Sequence, residues 1–244
     1  MAKTVLVTGA SRGIGRAIAW GFAREGWQVA VNYCRSKTQA EQLAEELRAF
    51  GCNAAAFCAD VSSRQQVEKM LLEVHRVLGP VHTLVNNAGI AQQKLFSDIT
   101  EEDWDNMFAI SVKGSYHCAQ AVLPDMLRRQ EGCIINISSM WGQVGASCEV
   151  HYSAAKAAVI GFTKALAKEL GPSRIRVNCV APGVVATEMN AALSPETLEG
   201  LRLETPLELI GAGEDIAFAV CFLASEKARF ITGQVLAPNG GFVI

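Results

Sequence analysis

The sequence predicts an α/β chain, one domain over residues 1–244, doubly wound about a parallel sheet of about seven strands. Short runs rich in apolar and β-branched residues recur from Thr4-Val5-Leu6-Val7-Thr8 to Gly233-Gln234-Val235-Leu236-Ala237, as expected of strands covered on both faces. Longer stretches of helical periodicity separate them, and strand, helix, strand with right-handed crossovers gives a parallel sheet. The composition suits one large core, with 244 residues, 50% apolar and 19% charged.

The same composition narrows the function classes. Lys+Arg number 22 against 24 Asp+Glu, a net charge of -2, which gives no bulk attraction to nucleic acid or an anionic membrane. No apolar run approaches the ~20 residues of a membrane span, and the start carries no signal-peptide pattern, so a cytoplasmic protein is expected. Eight cysteines lie scattered without a C-x-x-C pair or a histidine cluster. They read as reduced thiols, with no metal site and no disulfide framework.

After the first strand comes Gly9-Ala10-Ser11-Arg12-Gly13-Ile14-Gly15, then an apolar helix ending near Gly26. A strand, a glycine turn and a helix N-terminus make an anion site, because backbone N–H groups face the ligand and glycine lets the chain come close. The spacing is G-x-x-x-G-x-G. Trp27 to Asn32 is the second strand, followed by a helix from about Lys37 to Phe50. A dinucleotide site that takes free ribose hydroxyls ends this strand in an acid. Here Asn32-Tyr33-Cys34-Arg35-Ser36 holds no carboxylate, and Arg35 with Arg12 suits a 2′-phosphate, hence NADPH/NADP+.

Asn53 to Cys58 forms the third strand, ending in Asp60-Val61, with Ser62 as cap of a helix over 63–78. Val81 to Val85 is the fourth, and Asn86-Asn87-Ala88-Gly89 follows at the carboxyl end, where open α/β sheets bind ligands. Thr100 and the acids after it open a long helix running to Leu127, with a kink or break expected near Pro124. Ile134 to Ser139 is the fifth strand, 150–170 a helix stopped by Gly171-Pro172, and Arg176 to Val180 the sixth strand. Residues 184–210 lack strong periodicity and read as a lid. A helix over 214–224 precedes the last strand.

Tyr152 and Lys156 stand four apart on the 150–170 helix and so project from one face. A tyrosine titrates near ~10, and a neighbouring cation favours the phenolate, so Lys156 is expected to tune Tyr152 as an acid. Ser139, at a strand end, would hold a substrate oxygen.

Thr8-Gly9-Ala10-Ser11-Arg12-Gly13-Ile14-Gly15, Asn86-Asn87-Ala88-Gly89, Ser139, Tyr152-x-x-x-Lys156 and Pro182-Gly183-x-x-x-Thr187 together resemble the short-chain dehydrogenase/reductase family, in order and spacing, over essentially the whole chain. The resemblance implies a Rossmann fold and reduction of a ketone, with Tyr152 as proton donor, Ser139 on the carbonyl oxygen and Lys156 on the nicotinamide ribose. It implies cofactor walls at Asn87, Ala88 and Gly89, an adenine contact at Asp60-Val61, a carboxamide clamp at Val185 and Thr187, and further cofactor contacts at Pro182 and Gly183. Ser111 stands where the family carries an asparagine, and a serine cannot both donate and accept as an amide does, so the proton relay would be rebuilt there.

Substrate contacts are expected between Ser139 and Tyr152, at Trp141 and Glu149. The resemblance implies a 3-oxoacyl group on acyl carrier protein. Trp141-Gly142 and Cys148-Glu149-Val150 are similar to the branch that reduces a 5-aminopentanone group on elongation factor P. A non-catalytic nucleotide sensor on the same fold is the reading from another class. The resemblance also implies a homotetramer. Arg128-Arg129 and Arg174 with Arg176 are candidates for a basic patch facing an acidic partner.

Overall fold

The structure, a computed structural model, describes residues 2–188 and 194–244. Seven parallel strands lie in the order β3-β2-β1-β4-β5-β6-β7. They are β1 (Thr4–Val7), β2 (Gln28–Tyr33), β3 (Ala54–Cys58), β4 (Val81–Asn86), β5 (Gly132–Ile137), β6 (Ile175–Val180) and β7 (Val235–Leu236). The order reverses beside β1, so the β1 and β4 ends open a crevice at the carboxyl edge.

Helices α1 (Gly13–Arg24), α2 (Lys37–Ala49) and α9 (Gly213–Ala224) cover one face, with Ile18, Phe22, Leu43 and Val220 buried against Val5, Val29 and Ile135. Helices α3 (Arg64–Leu78), α5 (Gly114–Arg129) and α7 (Val150–Leu170) cover the other, with Met70, Val74, Val122 and Leu170 against Leu6, Leu84 and Ile134. Leu6, Leu84 and Ile134 are nearly or wholly shut from water, at 1%, 0% and 0% exposure. At about 25 cal/mol per Å² of apolar area, these two cores carry the fold. Three shorter helices are α4 (Glu101–Phe108), α6 (Trp141–Val144) and α8 (Pro195–Glu204).

Several expectations need correction. The cap of α3 is Ser63, whose side chain accepts from the Gln66 N–H, while Ser62 bonds Asp60. Thr100 and Asp103 do form a reciprocal capping box on α4. The long helix is interrupted at a π turn over Ala109–Lys113, and not at Pro124, which lies inside α5. Pro124 is exposed, and so is Gln120, whose carbonyl a helical N–H at 124 would otherwise meet. β5 ends at Ile137, so Ser139 sits on the turn beyond it. Within the expected lid, residues 189–193 lie outside the described residues, and 195–204 form α8. That helix buries none of its side chains, which is why no apolar stripe announced it.

Candidate active site

The glycine turn is built by close approach. Gly9 has φ +60°, and a Cβ there would stand 2.9 Å from the Ala88 Cα. A Cβ on Gly15 would stand 2.5 Å from both Asn87 Nδ2 and the Gly9 carbonyl. Three side chains bracket this wall. Asn87 Nδ2 donates to the Thr8 and Gly9 carbonyls at 2.9 and 3.1 Å. Thr8 Oγ1 accepts from the Asn87 and Ala88 N–H groups at 2.9 and 3.0 Å. Asn32 Oδ1 accepts from the Gly9 N–H at 3.2 Å, while its Nδ2 donates to the Phe57 and Ala59 carbonyls. Asn32 is therefore a buried brace of the turn; its side chain is spent on the backbone and does not offer itself to a ligand.

The remaining predicted cofactor residues gather around this wall. Arg12, just before α1, and Arg35, beyond β2, are exposed, and neither has a side-chain hydrogen bond or ion pair among the described residues. Ser11 and Tyr33 are buried, Ile14 packs on the core beside α1, and Ser36 stands before α2 without a side-chain cap. Asp60 accepts from the Ser62 amide and hydroxyl, and the Val61 carbonyl faces His117 Nδ1 at 2.9 Å. From the far side, Pro182 accepts from the Met140 N–H, and Gly183 runs so close to Asn239 that a Cβ would reach its Cα at 2.7 Å. Val185 is buried and bridges Gly211, and Thr187 lies 3.5 Å from where Gly13 would carry a Cβ. A groove of about 710 Å³ between α1 and residues 186–214 adjoins this turn from outside; none of Ser139, Tyr152 and Lys156 lines it.

The four predicted catalytic residues converge at the carboxyl ends of β4 and β5. The Ser139 hydroxyl is within hydrogen-bonding reach of the Tyr152 phenol and also accepts from the Trp141 N–H at 3.2 Å. Lys156 Nζ lies 5.6 Å from the Tyr152 ring centre and donates to the Ile137 carbonyl at 3.0 Å. A Cβ on Gly89 would stand 3.4 Å from Lys156 Nζ and 3.7 Å from Ser111 Oγ, so these three line one pocket. Ser111 is buried on the π turn, and its carbonyl accepts from Ser115 Oγ at 2.8 Å. π turns of this kind re-aim side chains and occur often at functional sites.

The electrostatics differ from the expected tuning. Burial pushes the Tyr152 phenol up to about 12, with Ser139 pulling it back and the Glu149 charge adding to the rise. Burial likewise pulls the Lys156 ammonium down to about 8. In the protein alone the shared dry pocket penalises both charged forms, and the ammonium is turned to a carbonyl, so Lys156 does not lower the phenol.

Trp141 packs edge-on against Phe242, ring centres 5.5 Å apart, which ties the substrate side to the C-terminal segment. Glu149 is half-buried, takes a 3.2 Å bond from Gln93 Nε2, and has its carboxyl pushed up chiefly by burial. Of the four arginines weighed as a basic patch or as solvated helix and strand ends, Arg174 is exposed and the other three are bonded within the chain. Arg128 pairs with Asp125, Arg129 donates to the Val81 carbonyl, and Arg176 to the Leu223 and Ala224 carbonyls, all at the amino edge of the sheet, away from Ser139. Gln92 and His151, paired at 2.8 Å beside Tyr152, were not singled out from the sequence; only their closeness to Gly89 and Tyr152 in the chain hinted at them.

Comparison with known proteins agrees with this geometry. The profile of the family described as short chain dehydrogenase matches residues 3–198. A 3-oxoacyl-acyl-carrier-protein reductase of Staphylococcus aureus is 46% identical over 241 residues, covering 99% of this chain and 98% of that protein. One of Aquifex aeolicus with the same enzyme name is 40% identical over 98% of this chain and 96% of its own. The oxidoreductase YmfI of Bacillus subtilis is 41% identical over 99% of both.

Proposed function

The chain belongs to the short-chain dehydrogenase family, and from that premise we propose that it is an NADPH-dependent reductase of a 3-oxoacyl thioester carried on acyl carrier protein. It is an oxidoreductase of the CH–OH/C=O pair, using a nicotinamide cofactor. The observation that carries the reading is the meeting of Ser139, Tyr152 and Lys156 beside a glycine wall too tight for any Cβ.

The residues fit the cofactor. Gly9 and Gly15 leave a cradle that a Cβ would fill, the backbone before α1 is free of a side-chain cap, and unpaired Arg12 and Arg35 suit a 2′-phosphate. When bound, the nicotinamide supplies the hydride. Tyr152 then gives its proton to the carbonyl oxygen as negative charge develops there, and Ser139 holds the same oxygen. A phenol pushed up to about 12 by burial stays protonated at neutral pH, so the proton is in place before the carbonyl oxygen gains charge. Lys156, beneath Gly89, is placed to hold ribose hydroxyls, and its pocket opens toward Ser111 for the returning proton. This intact set argues against a non-catalytic sensor.

A second reading is favoured by Glu149. Its charge lies near enough to Tyr152 to raise the phenol, so a carboxylate lines the substrate side, where an acyl chain has no use for one. An amine-bearing ketone, such as the 5-aminopentanone on elongation factor P, would pair with it for about 1 kcal/mol or more. NADPH oxidation by the pure protein, with an acetoacetyl thioester and separately with an amino-ketone, decides between them. Glu149→Gln should alter both rates alike on the first reading and lower kcat/KM selectively for the amino-ketone on the second.

No helix among the described residues is long and apolar enough to cross a membrane, and the eight free thiols suit the cytoplasm as its place of work. A homotetramer is supported by apolar side chains left in water, with Phe218 at 68% exposure, Phe230 at 99% and Trp104 on α4 at 37%. Light scattering at micromolar concentration should give four chains, and a monomer would sink the assembly.

A further inference from the structure

The catalytic Tyr152 sits in the first turn of α7, and that turn has no side-chain cap, because its N-cap residue Glu149 makes no side-chain cap bond to the turn. Just before it, Cys148 is held at φ +60°, a strained position for a residue with a Cβ. A long helix that starts this way would fray at the residue that does the chemistry.

What holds it is the loop after Gly89. Three consecutive residues of that loop grip the start of α7. The Lys94 N–H donates to the Cys148 carbonyl at 2.7 Å, Gln93 Nε2 donates to Glu149 at 3.2 Å, and Gln92 Oε1 meets His151 Nε2 at 2.8 Å. The loop is anchored in turn on Asp103, the capping-box acid of α4. Its carboxylate takes Gln92 Nε2 at 2.9 Å, Lys94 Nζ at 2.6 Å and the Thr100 N–H at 3.0 Å.

The chemistry of the groups sets every proton in this string. Bonds from Lys94, the Thr100 amide and Gln92 hold the Asp103 carboxyl well below the usual carboxylate range, so it is an acceptor only. The amide nitrogen of Gln92 must therefore face Asp103, and its oxygen must face His151. His151 then carries its hydrogen on Nε2 and donates. Nδ1 is buried with no partner among the described residues.

We infer that Gln92 and His151 are positioning residues for Tyr152, an Asp103-anchored string that replaces the missing cap of α7 and holds the phenol against Ser139. The inference rests on the reading of Tyr152 as proton donor. It implies that the loop beside the cofactor wall and the catalytic helix keep one geometry chiefly through the Gln92–His151 bond.

The test measures NADPH-dependent ketone reduction, cofactor affinity and the pH profile of kcat in the whole protein. Gln92→Leu, at a half-buried loop position, should lower kcat about tenfold and leave cofactor Kd within about twofold, since a positioned acid is worth ~100-fold and is here misplaced and not removed. The alkaline limb of kcat should move to higher pH, because the Ser139 bond that pulls the phenol down is weakened. His151→Leu should match Gln92→Leu, and the double variant should be no worse than either alone. His151→Gln, which still presents an N–H to Gln92, should recover most of the rate. Should His151→Leu fail to fold, Gln92→Leu and His151→Gln carry the test alone. An unchanged kcat and pH profile in Gln92→Leu overturns the inference, as does a His151→Gln as slow as His151→Leu. Tyr152→Phe is the control: if it keeps its rate, the proton-donor reading itself fails, whereas its collapse beside an active Gln92→Leu rejects only the positioning role.

Discussion

The two walls of the cleft are held in different ways. On the cofactor side, Thr8, Asn32 and Asn87 each bond to main-chain groups, so the wall is a set of brackets between side chain and backbone. On the substrate side, Gln92 meets His151, Gln93 meets Glu149, and Gln92 and Lys94 meet Asp103, all side chain to side chain. A bracket onto the backbone depends on one residue, because the other partner is always there. A side-chain pair is lost when either member changes, and the survivor is left unsatisfied at a cost of roughly 1–3 kcal/mol if buried. The cofactor wall is thus built for one fixed shape, and the substrate wall for adjustable specificity at the expense of tolerance.

The sharpest way to separate the two walls is Tyr152→Phe. It should cut kcat by at least about 100-fold while NADPH binding, measured by fluorescence titration, stays as it was. Loss of binding together with rate would mean that the walls are not independent. On the cofactor side alone, Arg35→Ala should weaken NADPH by about 10- to 100-fold and leave NADH nearly unchanged, from the worth of a charged hydrogen bond. Equal affinity of the unmodified protein for both cofactors would remove the basis of that prediction.

A third effect, on stability and not on rate or affinity, lies where the walls meet, at Lys156. Its folded value of about 8 lies below the ordinary 10.5, so between these pH values the unfolded chain holds the proton more tightly. Stability should therefore rise as pH rises from 8 to 10.5, and below 8 the burial of the ammonium costs on the order of 3 kcal/mol. Tyr152, raised above its ordinary 10, acts only beyond pH 10 and in the opposite sense. Cofactor-free Lys156→Met should melt higher than the parent at pH 7, with the gap closing toward pH 10.5. A gap that does not depend on pH would place the effect in packing.

The two walls also differed in how far they could be read from the sequence. Glycines at fixed spacing after an apolar run announce a close backbone approach, so the turn at Gly9, Gly13 and Gly15 was legible. The parallel sheet followed from the same strand and helix rhythm. Tyr152 and Lys156 were legible because helical spacing alone puts them on one face. The bracing role of Asn32 was not legible, since its place at a strand end does not reveal that three carbonyls and an amide were waiting for it. Gln92 and His151 lie 59 apart in the chain, and nothing local marks either. The tuning of Tyr152 by Lys156 is not visible in the protein alone, because spacing reports direction and says nothing of the water that burial removes. Pro124 misled for a related reason: its cost depends on whether Gln120 meets water, a tertiary fact.

The π turn at Ala109–Lys113 carries a consequence for insertions and deletions. Each residue of a helix advances its face by about 100°, so a turn with one residue too many offsets the faces on either side of it. α4 presents Met107 inward, and α5 presents Cys118, Val122 and Met126 to the sheet, with the offset between them taken up where Ser111 lies. Excising a single residue from 109–113 would straighten the helix and set two demands in conflict. Either the core face of α5 stays and Ser111 swings out from beside Lys156, or Ser111 stays and Val122 turns toward water. Chain length in this stretch is thus under tighter constraint than its residue types, and a shortened protein would lose more than any single substitution at Ser111 could take away.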